Sequence, residues 1–510
     1  MIAKAYSSAL IGIDGYVVTV ETDMANGIPS FDIVGLPDAA VKEAKERVRA
    51  AIRNSGFELP AKKVVINLAP ADIKKEGSGY DLAMAAAILT ADNKLSQDKV
   101  LEYALMGELS LAGELKKING VLSHSMGASK SGIKKIIVPK DNAYEASLAE
   151  GITVYGASSL YEVFMHLSGE KELQPTVTDA KELIKNNMVY DVDFADVKGQ
   201  PLLKRAFEIA AAGGHNVIVM GSPGSGKSML AKRLPTILPD MTIEEAIDTT
   251  RIHSSAGTLP DDEPIVAVRP FRSPHHTISV PGLLGGGADS RPGEISLANN
   301  GVLFLDEFLE FAPKAMEGMR QPLEDGKVTI ARASATNTYP CKTMLILATN
   351  PCPCGYYGDR RRSCKCSQSA INKYLSKLSG PLLDRIDIQV EASSISYENL
   401  SENQGESSHD IKERVMRARE IQRTRFGSDT KLNSDIKTKE EMDKYCTLDK
   451  AAENILKQAF QNIGLSVRGY NSILAVSRTI ADLDGSESID IMHITEAISY
   501  RRLEGKYWSK

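Results

Sequence analysis

The chain has 510 residues, 42% of them hydrophobic and 25% charged. This is ordinary globular usage; it excludes a wholly disordered, collagen-like or coiled-coil protein and suggests about three or four domains. A formal net charge of -5 gives no whole-chain sign of nucleic-acid binding, so any DNA or RNA contact has to come from local basic surfaces. No apolar run reaches the roughly 18 residues of a membrane span and the N-terminus lacks a secretory h-region, so a cytoplasmic protein with no membrane partner is expected.

In chain order, Tyr16 to Val20 and Ser30 to Val34 read as strands. Asp38 to Ser55 follows as a helix: Val41, Ala44, Val48, Ala51 and Ile52 keep helical spacing, Pro37-Asp38 marks its start and Gly56 its stop. Val64 to Leu68 reads as a further strand and Asp81 to Thr90 as a buried helix, giving a mixed α/β domain over residues 1–170. The stretch around 171–190 turns polar and is expected to be a linker. From 191 to 400, strand-like runs (Asn216 to Met220, Val302 to Leu305, Met344 to Ala348) alternate with helical stretches, the pattern of a parallel sheet with crossover helices. After a polar stretch from Ser401 to Asp410, the part over 401–510 reads as all-helical: Ile411 to Phe426, Lys450 to Ile463, Val467 to Leu483 and Ile491 to Leu503.

Within the second region, Gly221-Ser222-Pro223-Gly224-Ser225-Gly226-Lys227-Ser228 fits the phosphate-loop pattern, after an apolar strand and before a helix over Met229 to Leu234. The spacing places backbone N–H groups around phosphate oxygens at a helix start. Lys227 supplies a point charge to the β and γ phosphates of ATP, and the Ser228 hydroxyl ligates Mg²⁺. Val302 to Leu305 ends in Asp306-Glu307, so Asp306 is expected to help hold Mg²⁺ and Glu307 to polarise the attacking water. Two residues stay open at this level. Asn350, ending another buried strand, is either a turn residue or a group that orients water or the γ-phosphate; Arg385, between Asp384 and Asp387, is either a local salt bridge or an arginine finger for a neighbouring subunit.

Four of the six cysteines, Cys352, Cys354, Cys364 and Cys366, form two C-x-C pairs separated by nine residues. In a chain expected to be cytoplasmic, clustered thiols favour a metal over disulfides; this set suits one structural Zn²⁺, with reduced spectator cysteines or a redox-sensitive pair as the alternatives. Cys341 and Cys446 stand alone and are expected in the core. From Pro351 to Lys377 the six basic residues Arg360, Arg361, Arg362, Lys365, Lys373 and Lys377 face one acid, Asp359. Arg360, Arg361, Arg362 and Lys365, beside Tyr356 and Tyr357, are candidates for DNA phosphate contact. The adjacent His275 and His276 lack spaced ligand partners and are not read as a metal site.

The phosphate loop, Asp306-Glu307, Asn350, Arg385 and Ser466-Val467-Arg468 together resemble an AAA+ ATPase of the magnesium-chelatase and MCM-helicase branch. Arg269 to Thr277 (RPFRSPHHT), Pro292 to Ala298 (PGEISLA), Gly301 to Glu307 (GVLFLDE) and Asn350 to Gly355 (NPCPCG) resemble the ComM/YifB family, and the likeness covers essentially the whole chain. One departure is Asn299, where that family usually has His.

The resemblance implies an α/β protein with an N-terminal Lon-protease-like (S5-like α+β) domain, a P-loop AAA+ αβα core and an all-helical C-terminal lid. It implies Asn350 as sensor 1, Arg385 as a finger acting in trans, Arg468 as a lid sensor contacting nucleotide, and a homo-hexameric ring. The insert holding Arg269 to Thr277 and the glycine-rich stretch Gly282 to Gly287, with a hairpin over Val328 to Tyr339, would face the pore. In function it implies an ATP-driven motor on DNA, a branch-migration helicase for recombination of incoming DNA in natural transformation. The same resemblance places Gly79 where a working Lon domain has its nucleophile and Leu122 where it has its base, which implies a non-proteolytic domain. Three other readings stay open: an ATP-dependent protease with a shifted dyad of Ser78 and Lys116 or Lys117, a chelatase-type motor, and a remodeller of DNA-bound proteins.

Overall fold

The computed structural model describes residues 2–287, 290–331, 336–359, 362–393, 405–463, 465–501, 503 and 507–508. Arg360 and Arg361, two of the DNA-contact candidates, lie outside them, as do 332–335 in the expected pore hairpin and 401–404 in the polar stretch.

The N-terminal region is built on an eight-stranded mixed sheet. Its order is Pro175–Thr176, Thr153–Ala157, Lys135–Pro139, Tyr103–Leu105, Ile2–Ile11, Asp14–Ala25, Lys63–Ala69, Ser30–Val34. The first two long strands form an antiparallel hairpin, while Tyr103–Leu105, Lys135–Pro139 and Thr153–Ala157 run parallel. The helix Ala39–Asn54 begins where Asp38 accepts the Val41 N–H at 2.7 Å, and it buries the five apolar positions that its spacing selected. Every residue of the helix Asp81–Ala91 is buried, as expected of a helix apolar all round. Burial pushes its Asp81 carboxyl up to about 6, opposed by the Arg47 guanidinium at 2.9 Å. The stretch read as a linker carries structure of its own. Pro175–Thr176 pairs with Thr153–Ala157, and the helix Ala180–Asn186 sends Ile184 into a buried cluster.

The second region holds a five-stranded sheet in the order Phe271–Arg272, Val302–Leu305, Met344–Thr349, Val217–Met220, Ile388–Glu391, all parallel. Its register pairs Met220 with Thr349 and Leu305 with Leu347, so Gly221, Asp306 and Asn350 leave the sheet at one edge. In an open parallel sheet that carboxyl edge is where ligands bind. Crossover helices cover both faces, with Leu203, Phe207 and Ile209 in one cluster and Phe308, Met316 and Ile371 in the other. The C-terminal helices Ser408–Phe426, Lys450–Ile463, Val467–Leu483 and Ile491–Ser499 bury Val415, Ala452, Leu456, Ile473, Val476 and Ile494 in the first of these. The last helix ends four residues before the expected Leu503, because the chain turns at Tyr500.

The two regions pack directly on one another. The helix Ile243–Ala256, opened by a Thr242/Glu245 capping box, lies against the helix Val121–Lys130. Leu122 is fully buried between them with Met241, Ala246, Ile265 and Ala267. Ile13, at the tip of the N-terminal hairpin, packs with Ile252, Leu297 and Tyr339. Arg251 donates to the Ile13 carbonyl at 2.8 Å and to Asp14 at 2.7 Å. Asn299 is buried and accepts the Lys342 N–H at 2.9 Å, a backbone-bracing role remote from phosphate chemistry.

Candidate functional site

The phosphate loop joins the buried strand Val217–Met220 to the helix Lys227–Arg233. Gly224 and Gly226 take φ +77° and +87°, and a Cβ at either position would meet open space. The constraint is therefore backbone handedness, which turns the N–H groups into the loop's hollow. The Lys227 amine sits at the loop's centre, donating to the Gly221 carbonyl at 2.6 Å, the Ser222 carbonyl at 3.1 Å and Asn350 Oδ1 at 3.4 Å. Burial pulls its pKa down from the usual lysine range, against the opposing pull of Asp306 and Glu307. The Ser228 hydroxyl donates to Asp306 Oδ2 at 2.5 Å. The buried Ser225 hydroxyl has no partner among the described residues.

These features fit ATP with Mg²⁺. A left-handed backbone cradle, a buried cation and an unpartnered hydroxyl suit phosphate oxygens, and a hydroxyl paired with a carboxylate is the donor set of a hard divalent cation. Glu307 sits in the left-handed region at φ +49°, its N–H bonded to Asp306 Oδ1 at 2.9 Å. That turn separates two adjacent carboxylates, and the Glu307 carboxylate meets His276 Nδ1 at 3.3 Å. Sequence reasoning set His276 aside; its place follows from the pairing of Phe271–Arg272 with Val302–Leu305, which sets the segment after one strand beside the turn after the other.

Arg385 and Arg468 are arranged separately. Arg385 donates to Glu324 at 2.5 Å and to the Pro381 carbonyl at 2.6 Å, and Arg468 lies 3.6 Å from the other Glu324 oxygen. Ser466, capping the helix that carries Arg468, donates to Asp384 at 2.9 Å. The structure thus gathers Lys227, Ser228, Asp306, Glu307 and Asn350 at one edge and Arg385 with Arg468 around Glu324. Glu324, at the end of a short helix, carried no signal in the sequence.

The four thiols of Cys352, Cys354, Cys364 and Cys366 lie within 4.8 Å of one another, with sulfur pairs at 3.4, 3.6 and 3.7 Å. Those separations far exceed a disulfide bond and approach the roughly 3.8 Å edge of a tetrahedron with zinc–sulfur bonds of about 2.3 Å. N–H groups of Tyr357 and Cys366 point at the Cys352 and Cys364 sulfurs at 3.3 and 3.4 Å. Backbone donors from Tyr356, then Lys365, pull the Cys354 thiol down to about 6, while those of Cys364 and Cys366, against a backbone donor in each case, are pushed up by burial and the neighbouring thiols. The set fits one thiolate-bound metal. Arg362 and Lys365 are exposed; Arg362 lies over the Tyr356 ring at 5.2 Å and donates to its hydroxyl at 2.8 Å. Cys341 and Cys446 are buried, as expected.

The shifted protease dyad is not assembled. Ser78 donates to Glu108, Lys116 pairs with Glu114 at 2.7 Å, and Lys117 pairs with Asp261 at 2.7 Å across the region boundary. Each side chain is taken by another neighbour, so no nucleophile and base come within reach there. Gly79 contributes no side chain, and Leu122 is packed in the seam between the regions.

Comparisons with known proteins agree with this architecture. Residues 193–400 match the family model described as magnesium chelatase, subunit ChlI, residues 20–142 that of subunit ChlI of Mg-chelatase, and residues 405–501 the subunit ChlI C-terminal model. Competence protein ComM of Haemophilus influenzae is 42% identical, covering 98% of this chain and 98% of its own. YifB of Escherichia coli K12 is 43% identical over 98% of this chain and 97% of its own. A shorter stretch of 124 residues, 24% of this chain, is 34% identical to Lon protease 2 of Bacillus subtilis. With a Lon-like N-terminal region, a parallel-sheet core and a helical C-terminal part, the chain belongs to the ComM/YifB family of magnesium-chelatase-like AAA+ proteins.

Proposed function

We propose that the protein is a cytoplasmic ATPase that works as a homo-hexameric motor on DNA, serving branch migration in recombination of incoming DNA. The observation that carries this reading is the division of the ATP machinery into two patches. Lys227, Ser228, Asp306, Glu307 and Asn350 form one, and Arg385 with Arg468, tied to Glu324, form the other. A pocket so divided is completed when a neighbouring copy presents its arginine patch.

In that arrangement the phosphate-loop N–H groups and Lys227 bind the β and γ phosphates. Mg²⁺, held by Ser228 and Asp306, supplies charge neutralisation on the phosphates when bound. Glu307 orients and deprotonates the attacking water, and its carboxylate is free to do so once His276 lets go of it. Asn350 reports on the γ-phosphate position, and the neighbour's Arg385 and Arg468 stabilise charge that builds on the transferring group.

The four-cysteine cluster holds a structural Zn²⁺. Arg362 and Lys365, with Arg360 and Arg361, provide contacts to DNA phosphates, and the hairpin of Lys327–Ala331 and Thr336–Pro340 lines the pore. The DNA role draws support from the full-length likeness to a competence protein.

The test is ATP turnover by the full chain with and without a four-way DNA junction, beside Glu307→Gln. Junction-stimulated turnover and strand migration by wild type, with ATP binding but no migration by the variant, are expected. Wild-type turnover that neither branched, single-stranded nor duplex DNA alters, with none of them bound, would overturn the reading.

A further inference from the structure

The cysteine loop is pressed against the nucleotide loop. Asn350, which accepts from the Lys227 amine at 3.4 Å, is followed two residues later by Cys352. Cys352 is fully buried in the same cluster as Met220, the last strand residue before the phosphate loop. Gly355 has φ +84°, and a Cβ there would lie 2.6 Å from Cδ and 2.8 Å from Cγ of Pro223, inside the phosphate loop. The Ser222 hydroxyl donates to Asp359 Oδ2 at 2.8 Å, and the other Asp359 oxygen accepts the Arg362 N–H at 3.2 Å. On the far side, Tyr357 meets Tyr507 edge-on at 6.3 Å, and the Tyr507 hydroxyl donates to Glu391 at 3.1 Å, at the end of the strand beside Val217–Met220.

Among the described residues from Pro351 to Cys366 there is no helix or strand. The loop's shape is set by its turns and by four converging thiols. Where a site's ligands converge from irregular backbone, the free energy of metal binding is the free energy that orders the loop. Without the metal, the four cysteines are tied together by weak thiol–thiol contacts at 3.4 to 3.7 Å, too little to hold Gly355 and Asp359 of this irregular loop against Pro223 and Ser222.

We propose that metal occupancy of the Cys352, Cys354, Cys364 and Cys366 cluster holds the phosphate loop in its ATP-binding form, so that ATP affinity depends on the metal. The proposal rests on the zinc and ATP readings above and adds the dependence between them. Gly355 is then a positioning residue: it touches no phosphate, and it lets the metal-braced loop seat against the one that does.

The experiment measures zinc content and the Kd for a fluorescent ATP analogue on the full chain, as purified, after zinc removal with a thiol-reactive mercurial and chelator followed by reductant, and after zinc is restored. Gly355→Ala is measured alongside, with Co²⁺ substitution to read the thiolate-to-metal absorption. Zinc removal is expected to weaken nucleotide binding about tenfold or more, and zinc return to restore it. Gly355→Ala is expected to keep its metal and cobalt spectrum and still lose about tenfold in affinity, because the added carbon displaces Pro223. Should stripped protein unfold, the metallated Gly355→Ala protein carries the test. Wild-type affinity in that variant, or in folded stripped protein, overturns the dependence and leaves the zinc reading standing. Tight nucleotide binding by protein that takes up no metal overturns both, whereas one zinc per chain with no nucleotide bound overturns the ATP reading alone.

Discussion

Two positions where the family resemblance locates catalytic groups have met opposite fates in this chain. At the phosphate loop, polar groups are kept poised: a buried amine held by two carbonyls and Asn350, a buried hydroxyl without a protein partner among the described residues, and two carboxylates turned apart by a left-handed residue. The unpartnered hydroxyl and the left-handed Glu307 each cost folding free energy, and the cost is offset when phosphate and metal fill the hollow. At the Lon-like position the reverse holds. Gly79 offers no side chain, and Leu122 is an apolar side chain at 0% exposure. What the N-terminal region offers at these positions is a packing surface. The helix Val121–Lys130, which carries Leu122, packs on the helix Ile243–Ala256 of the second region.

The contrast is tested most severely at the nucleotide site. Arg385→Ala is expected to lower turnover of the assembled protein by about 10³-fold, with ATP affinity changed only a few-fold, because Arg385 sits with Glu324 and outside its own chain's phosphate loop. Steady-state turnover beside equilibrium binding checks this; a loss of affinity matching the loss of turnover would place the arginine in its own pocket. Glu307→Gln is expected to cost about 10²- to 10³-fold in turnover with an unchanged melting temperature. The Glu307 carboxylate is exposed apart from its contact with His276, so little packing depends on it.

The N-terminal seam should respond in the opposite sense. Leu122→Ala removes a fully buried side chain and is expected to cost about 2–5 kcal/mol in thermal or denaturant unfolding, with turnover per folded molecule retained. Gly79→Ser asks the converse question. A Cβ there would make only ordinary contacts, with Met106 at 3.4 Å and Ile118 at 3.9 Å, so the variant should fold as wild type and still show no peptidase activity.

Much of this contrast was legible in the sequence, and the reason is locality. The phosphate loop, Asp306-Glu307 and Asn350 each end a short apolar run, so a parallel sheet brings them to one edge without further information. The helix Ala39–Asn54 was legible for the same reason, as spacing alone picked its buried face. What escaped depends on contacts between distant segments. Glu324 joins Arg385 and Arg468 from a helix whose sequence reads as solvated surface, and Asp359 reaches Ser222 across 137 positions. His276 next to Glu307 depended on an edge strand of two residues, too short to leave a periodic signal. The stretch around 171–190 looked like a linker because its strand is also two residues long and its helix hides a single side chain, Ile184.

A response read by pH also lies in the seam. Glu145 is buried there, its Oε1 accepting from the Ser254 hydroxyl at 2.5 Å and the Leu122 N–H at 3.2 Å. Burial pushes its carboxyl up to about 7 from an ordinary 4.5, opposed by Ser254, the Leu122 N–H, Lys117 and Asn142. For an acid whose folded pKa is raised, the neutral form is the one the fold prefers. Its contribution is therefore complete below pH 4.5 and is lost as pH rises toward 7, above which the buried charge imposes a constant cost. Glu145→Gln keeps an oxygen for Ser254 and Leu122 and has no proton to lose. The variant should therefore match wild type near pH 4.5, gain on it through the window to 7, and stay ahead by on the order of 1–3 kcal/mol above it. Denaturant unfolding of both proteins at pH 5 and pH 8 separates this from a merely steric role: a variant that gains nothing between the two pH values would mean that Glu145 is already ionised and compensated by Lys117 and the seam's donors.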